Sequence, residues 1–273
     1  MLRAFTRGSS IAALAVLGVF CVASPALALT ILDDFSGGSL SRWTSLSGAW
    51  AASGGTVSEP FSPSQFHALA YTAAPLSPTY AFEADAELAG ADGTTTGNKG
   101  VGLAWGIQDA NNYYYFLFYA GTAAQHYNGA FQLWKIIAGS PTLVVPDTAV
   151  GFDVVQGVFY TVRVDASGSN YTLSIKNGVG DTAFDFARAF SDTTLSGGKV
   201  GLVDYQDSVL RPGTAVFDNA RGTGFADPVP EPGAVGLAGA AALSVLARRR
   251  RPRMARASSA VVRAGVAQAP TRR

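Results

Sequence analysis

The stretch Glu83-Ala84-Asp85-Ala86-Glu87 has residue types and a spacing that could do chemistry. Residues two apart on a strand share a face, so the three carboxylates would project together from one side of it. Two carboxyl groups about 5 to 5.5 Å apart are what a retaining glycoside hydrolase uses, one as nucleophile and one as acid/base. The same alternation has a plainer origin. A strand with one buried face needs polar residues on the other, and Glu83, Asp85 and Glu87 run out of phase with Phe82, Ala84, Ala86 and Leu88. Both readings stand at this point, and the expectation is a polar outer face without catalysis.

A second set of residues points to binding. Tyr113, Tyr115 and Tyr119 would share one face of an aromatic strand, and Tyr114, Phe116 and Phe118 the other. One set must enter the core, because aromatic rings carry large areas to bury. The other is either covered by the second sheet's curvature and loops or available to stack on the apolar C–H faces of a sugar. The expected platform is Tyr114, Phe116 and Phe118 with Trp134, and Tyr127 as an addition.

Metal chemistry has thinner support. Asp33, Asp34, Asp218 and Asn219 offer the oxygen ligands that Ca2+ prefers, and would meet if the first and last strands pair. No calcium-loop spacing accompanies them, so the expectation is a chain without a cofactor, Ca2+ at these four being the alternative. His67 and His126 are the only histidines, which disfavours a multi-histidine zinc site, and neither has an aligned acid for a Ser-His-Asp arrangement.

The elements that must position these residues read as strands. Tyr80 to Leu88 alternates strictly, and so do Val101 to Ile107 and Tyr113 to Tyr119, joined by the turn residues Asp109 to Asn112. Tyr160 to Asp165 and Tyr171 to Ile175 form a second hairpin across Ser167-Gly168-Ser169-Asn170. Phe131 to Ile137, a short Thr142 to Val145 closed by Pro146, Lys199 to Tyr205 and Thr214 to Arg221 complete the set. No fixed-period repeat and no amphipathic helix interrupts them, so the expected fold is all-β, two stacked antiparallel sheets of jelly-roll type.

Charge divides along the chain. Residues 30–225 hold nine Lys and Arg against seventeen Asp and Glu, a balance of about −8, whereas nine arginines follow Phe225 against Asp227 and Glu231 alone. An acidic domain of this kind lacks the cations that nucleic-acid affinity requires. The one cysteine, Cys21, lies in the apolar N-terminal segment, so disulfides within the chain are excluded.

The two ends carry targeting features. Arg3 and Arg7, the apolar Ile11 to Val22 and Ala26-Leu27-Ala28 have the order of a signal peptide cut after Ala28. Val229-Pro230-Glu231-Pro232 should be extended, because each proline fixes φ and lacks an amide donor. The small and apolar run Ala234 to Ala247 follows, shorter than the ~20 residues of a full membrane span, and then Arg248, Arg249, Arg250 and Arg251. The expected organisation is a signal peptide at 1–28, a jelly-roll domain at 29–225, a sorting or anchor segment with a hydrophobic helix at 226–251 and a basic tail at 252–273.

Those C-terminal residues, Pro-Glu-Pro, apolar helix and arginine cluster in that order, resemble the PEP-CTERM sorting signal. The resemblance implies export, a transient stay at the inner membrane of a Gram-negative bacterium, and processing by an exosortase before release to the cell surface or extracellular matrix. Family members usually end just after the arginines, and here Pro252 to Arg273 follow. The domain resembles the concanavalin A-like, laminin-G-like jelly rolls through Asp33-Asp34-Phe35, Trp43 and Trp50, Val101-Gly102-Leu103 through Tyr113-Tyr114-Tyr115, Tyr160 to Val164, Gly201-Leu202-Val203 and Phe217-Asp218-Asn219. That resemblance implies glycan or protein recognition in many members and glycoside cleavage in some; for the exported protein the expected partner is exopolysaccharide, a matrix structural role without a ligand being the alternative. Glu-x-Asp-x-Glu is similar to the motif of the lichenase and laminarinase hydrolases, which would make Glu83 the nucleophile, Asp85 its tuner and Glu87 the acid/base. Alanines stand here where those enzymes usually have bulky residues, and the non-enzymatic reading is the one carried forward.

Overall fold

Alternation of apolar and polar residues at period two, punctuated by glycine and Asx turns, builds the described residues of this chain from strands. A computed structural model describes residues 29–60, 65–89, 99–120, 129–206 and 213–225. The expected signal peptide, sorting segment and basic tail lie outside them, as do His126 and Tyr127.

Among the described residues fifteen strands are arranged in two sheets, and every pairing is antiparallel. The eight-stranded sheet contains β1 (Thr30–Asp33), β3 (Ala51–Ser53), β4 (Thr56–Pro60), β6 (Thr79–Ala89), β11 (Phe159–Ser167), β12 (Asn170–Lys176), β13 (Phe186–Ser191) and β15 (Thr214–Thr223). Its order is β13-β12-β11-β6-β15-β4-β3, with β1 also on β15, so the first and last strands do pair. The seven-stranded sheet contains β2 (Trp43–Ser45), β5 (Gln65–Tyr71), β7 (Lys99–Asp109), β8 (Asn112–Ala120), β9 (Ala130–Ile137), β10 (Ser140–Ala149) and β14 (Lys199–Gln206), in the order β10-β9-β8-β7-β14-β5-β2.

The two anticipated hairpins are β7–β8 and β11–β12. β5 and β13 are strands the sequence pattern did not anticipate, and β10 runs past Pro146 instead of closing there. Proline is tolerated because β10 is an edge strand, and its register shifts on both sides of Val145.

The core lies between the sheets. Phe82, Ala84, Ala86 and Leu88 of β6 face Val101, Leu103 and Trp105 of β7 and their neighbours. Tyr114, Phe116 and Phe118 belong to this layer and are fully buried, which corrects the platform assigned to them. The register of β8 sends its other set, Tyr113, Tyr115 and Tyr119, to the outer face. β7 makes room for that set by placing Gly100, Gly102 and Ala104 outward. A Cβ on Gly100 would stand 2.7 Å from the Tyr119 ring, and one on Gly102 would stand 2.0 Å from the Phe116 carbonyl oxygen.

Candidate functional site

The acids of β6 are on the outer face, as their phase requires, but they are not solvated. Register places Arg163 of β11 and Arg221 of β15 directly opposite Glu83 on either side. Arg221 Nη2 lies 2.9 Å from Glu83 Oε1 and 2.8 Å from Asp85 Oδ1, and Arg163 Nη1 lies 3.7 Å from Glu83 Oε2. Asp85 also accepts hydrogen bonds from Thr161 Oγ1 at 2.7 Å and Asn219 Nδ2 at 3.0 Å. Glu83 and Asp85 are each 4% exposed. Glu87 stands outside this network, half-buried, and burial pushes its carboxyl above the usual range. The row is a cross-strand ion network, and Glu83 and Asp85 are held by guanidinium and hydroxyl groups instead of facing an open cleft.

The four terminal residues considered for Ca2+ are not gathered into a ligand set. Asp33 accepts the Phe35 amide and the Trp43 indole N–H, both at 2.8 Å. Asp34 accepts the amide and hydroxyl of Ser36, and Asp218 accepts the Asn219 amide. Asn219 turns its own amide to Asp85. The bonds to the Phe35, Ser36 and Asn219 amides are turn bonds, the ordinary work of Asx side chains at strand ends, and those of Asp33 with Trp43 and of Asn219 with Asp85 join strands.

The outer face of the seven-stranded sheet is where aromatic residues collect. Neighbouring strands are about 4.8 Å apart, so β8 and β5, three strands away, stand about 14 Å from one another. Tyr115 and Phe66 nevertheless approach to 5.0 Å between ring centroids, reaching toward each other over the small residues of β7 and β14. Phe66 stacks on Tyr205 at 4.4 Å, and Tyr115 lies parallel to Trp134 at 6.4 Å. Phe66, Trp134 and Tyr205 are half-buried, while Tyr115 is fully buried and its hydroxyl has no partner. Gln132 accepts hydrogen bonds from Tyr119 Oη and Trp134 Nε1 and donates to Asp147, fixing the ring of Trp134. Of the four residues expected to form the platform, Trp134 alone is on this face. Phe66 and Tyr205 were missed, because the strand carrying Phe66 was not anticipated and Tyr205 gives no sign in sequence of which partner strand it faces. An open cleft of about 260 Å³ lies elsewhere, bordered by Leu76, Pro78, Tyr80, Tyr171 and Gly197.

Glu59 and Asp204 were missed, and His67, read from sequence as having no acid partner, has both of them beside it. All three lie on the core-facing phase of β4, β5 and β14, in step with Val57, with Leu69 and Tyr71, and with Val200 and Leu202. A charged residue at an apolar phase was the available signal. His67 and Asp204 are directly opposite across β5 and β14, and Glu59 comes from the other sheet. None of the three is more than 2% exposed. His67 Nδ1 is 3.2 Å from Glu59 Oε2 and 3.4 Å from Asp204 Oδ2. Burial opposes a charge on His67, but the two carboxylates beside it outweigh burial and raise it to about 9; burial raises Asp204 to about 7. Among the described residues this is the one group of three potential ligands within 4.8 Å of one another. It does not fit Ca2+, which takes six to eight oxygens.

No protein-family model matches the chain, and no curated protein matches it. Solved structures do. A carbohydrate binding module, CBM66 from Bacillus subtilis, is 18% identical over 66% of this chain and 93% of its own, with a TM-score of 0.49. The exoplasmic/lumenal domain of VIP36 in its Ca2+/Man-bound form is 9% identical over 69% of this chain and 85% of its own, with a TM-score of 0.51. The GH43 protein BlXynB from Bacillus licheniformis is 12% identical over 70% of this chain but 39% of its own, with a TM-score of 0.48. At such identities the likeness is one of fold, and the described residues form an all-β, two-sheet antiparallel sandwich of the architecture that the VIP36 domain shares.

Proposed function

We propose that this protein is a non-enzymatic glycan-binding sandwich, and that the glycan lies on the outer face of the seven-stranded sheet against Phe66, Trp134 and Tyr205. The observation that carries the reading is a contiguous aromatic layer where a solvated sheet face would ordinarily be polar. Aromatic rings presented half-exposed over a floor of small residues are suited to the flat C–H faces of sugars, and Gln132 and Asp147 supply polar groups at the margin. That the VIP36 domain of like fold was solved in a Man-bound form supports the same ligand class. With the PEP-CTERM resemblance, the protein is read as exported, held briefly at the inner membrane, processed by an exosortase, and released to the cell surface or matrix to adhere to or organise exopolysaccharide.

A glycan array on the purified protein, run beside a hydrolysis assay on the bound glycans, tests this. The expected result is retention of a polysaccharide without cleavage. Trp134→Ala should weaken it by about thirtyfold, as for a buried aromatic anchor, and Leu76→Ser, at the separate cleft, should leave it unchanged. Silence across the array, or binding lost in Leu76→Ser but kept in Trp134→Ala, would sink the assignment to this face.

A further inference from the structure

Glu59, His67 and Asp204 put two carboxylates and one imidazole into the apolar layer between the sheets, and the glycan face has no use for them. His67 Nδ1 carries at most one hydrogen and can point it at one carboxylate. Glu59 Oε2 and Asp204 Oδ1, both buried, are left without a hydrogen-bond partner. Orphaned acceptors at such depth are costly, and a native structure holds them only for a reason. A single cation among the three side chains would satisfy every one of these atoms together.

We propose that Glu59, His67 and Asp204 form a closed structural site for one divalent transition-metal ion of the Zn2+ or Mn2+ class, clamping β4 of one sheet to β5 and β14 of the other. Donor chemistry selects that class. One imidazole with two carboxylates suits these ions and not Ca2+, and Asp204 can offer both of its oxygens at one corner of the shell. Spacing agrees. A tetrahedral shell with bonds of about 2.0 to 2.1 Å has edges of about 3.3 Å, and the Nδ1 to Oε2 and Nδ1 to Oδ2 separations are 3.2 and 3.4 Å.

The surroundings are those of a holding site. Glu59 Oε1 accepts the Ala49 amide at 3.0 Å, which turns Oε2 toward His67 as an outer partner does for a ligand. Gly48, at φ +90, closes over the group. A Cβ there would stand 2.8 Å from His67 Cβ and 2.9 Å from Glu59 Oε1, so only the bare backbone fits. No path is left for a substrate, and a metal would enter as the chain folds. With Cys21 as its single cysteine, the chain has no disulfide to join its sheets, and a metal would serve in that place.

The test uses the full chain, unfolded with EDTA, refolded with ZnCl2, MnCl2, CaCl2 or EDTA, and desalted. Mass spectrometry for metals should find about one Zn or Mn per chain, and the unfolding midpoint should rise by several degrees over the EDTA sample, with CaCl2 doing neither. Co2+ refolded into the wild type should give the visible absorption of a four-coordinate nitrogen and oxygen site, a readout that needs no variant. His67→Gln should retain less than about a tenth of the metal. The proposal is overturned if the wild type refolds to the same midpoint with and without chelator and keeps no metal. Undiminished metal in His67→Gln, which would place the ion elsewhere, overturns it equally.

Discussion

Arg221 shows how a residue's role changes once its partners are known. It bridges Glu83 and Asp85 while remaining 28% exposed at its side chain. Arg221→Met keeps the packing of the stem but leaves two nearly buried carboxylates facing each other. The expected cost is about 3 kcal/mol, the low end for breaking a buried pair because water still reaches the guanidinium; urea unfolding measures it. A loss below about 0.5 kcal/mol, the level of a surface pair, would show that the network is surface decoration. Asp192 makes a second residue-scale case. Burial alone would raise its carboxyl, but hydrogen bonds from Thr194, Lys135 and Tyr114 Oη outweigh burial and hold it well below the aspartate range. A group depressed in the folded state contributes stability above its unfolded value, about 3.9, and that contribution fades as pH falls through the lower folded value. Asp192→Asn should therefore melt below the wild type at pH 7, and the gap should begin to narrow below about pH 4 and continue to shrink as pH falls further in thermal scans. A gap independent of pH would mean that packing, not charge, is what the aspartate supplies.

At the scale of elements, the pair β7 and β8 organises both faces of its sheet. Trp105, Tyr114, Phe116 and Phe118 fill the interior, and the outward Gly100, Gly102 and Ala104 let the tyrosines of β8 lie across the neighbouring strand. Gly102→Ala would press a methyl against the Phe116 carbonyl, a backbone atom that cannot swing aside. It should cost about 3 kcal/mol, the upper end of overpacking, seen as a lowered denaturation midpoint. An unchanged midpoint would show that the two strands separate without penalty. Period and turn residues made this hairpin and that of β11 and β12 readable in sequence. They did not reveal β5 or β13, whose exposed or mixed residues carry no clean alternation.

For the molecule as a whole, the sandwich and the targeting features make separable claims. Replacing Pro230, Glu231 and Pro232 by alanine should cause the unprocessed form to accumulate in membrane fractions, as blotting against the domain would follow, while glycan binding by the purified domain is unaltered. Processing that continues unchanged in that variant would remove the sorting assignment and leave the aromatic face standing. Among the described residues, polar ties between the sheets include the group at Glu59, His67 and Asp204, the contact of Asp192 with Tyr114 and Lys135, and the bond from Trp43 to Asp33. Asp204 is 137 residues from His67 and Asp192 is 78 from Tyr114, which is why neither partnership could be read from local spacing.

The sequence by itself determined that the domain between the two ends is all-β, that Glu83, Asp85 and Glu87 share the face opposite Phe82, Ala84 and Ala86, and that one of two aromatic sets on β8 must be interior. Those conclusions follow from period-two alternation, a property of a single strand. Only the tertiary structure decided which set that is, that arginines from two flanking strands claim the acids, and that a histidine and two carboxylates meet between the sheets. Such facts depend on strand order and on how the sheets face each other. Alternation says that a residue points inward or outward, and only the partners across the fold give that direction a chemical meaning.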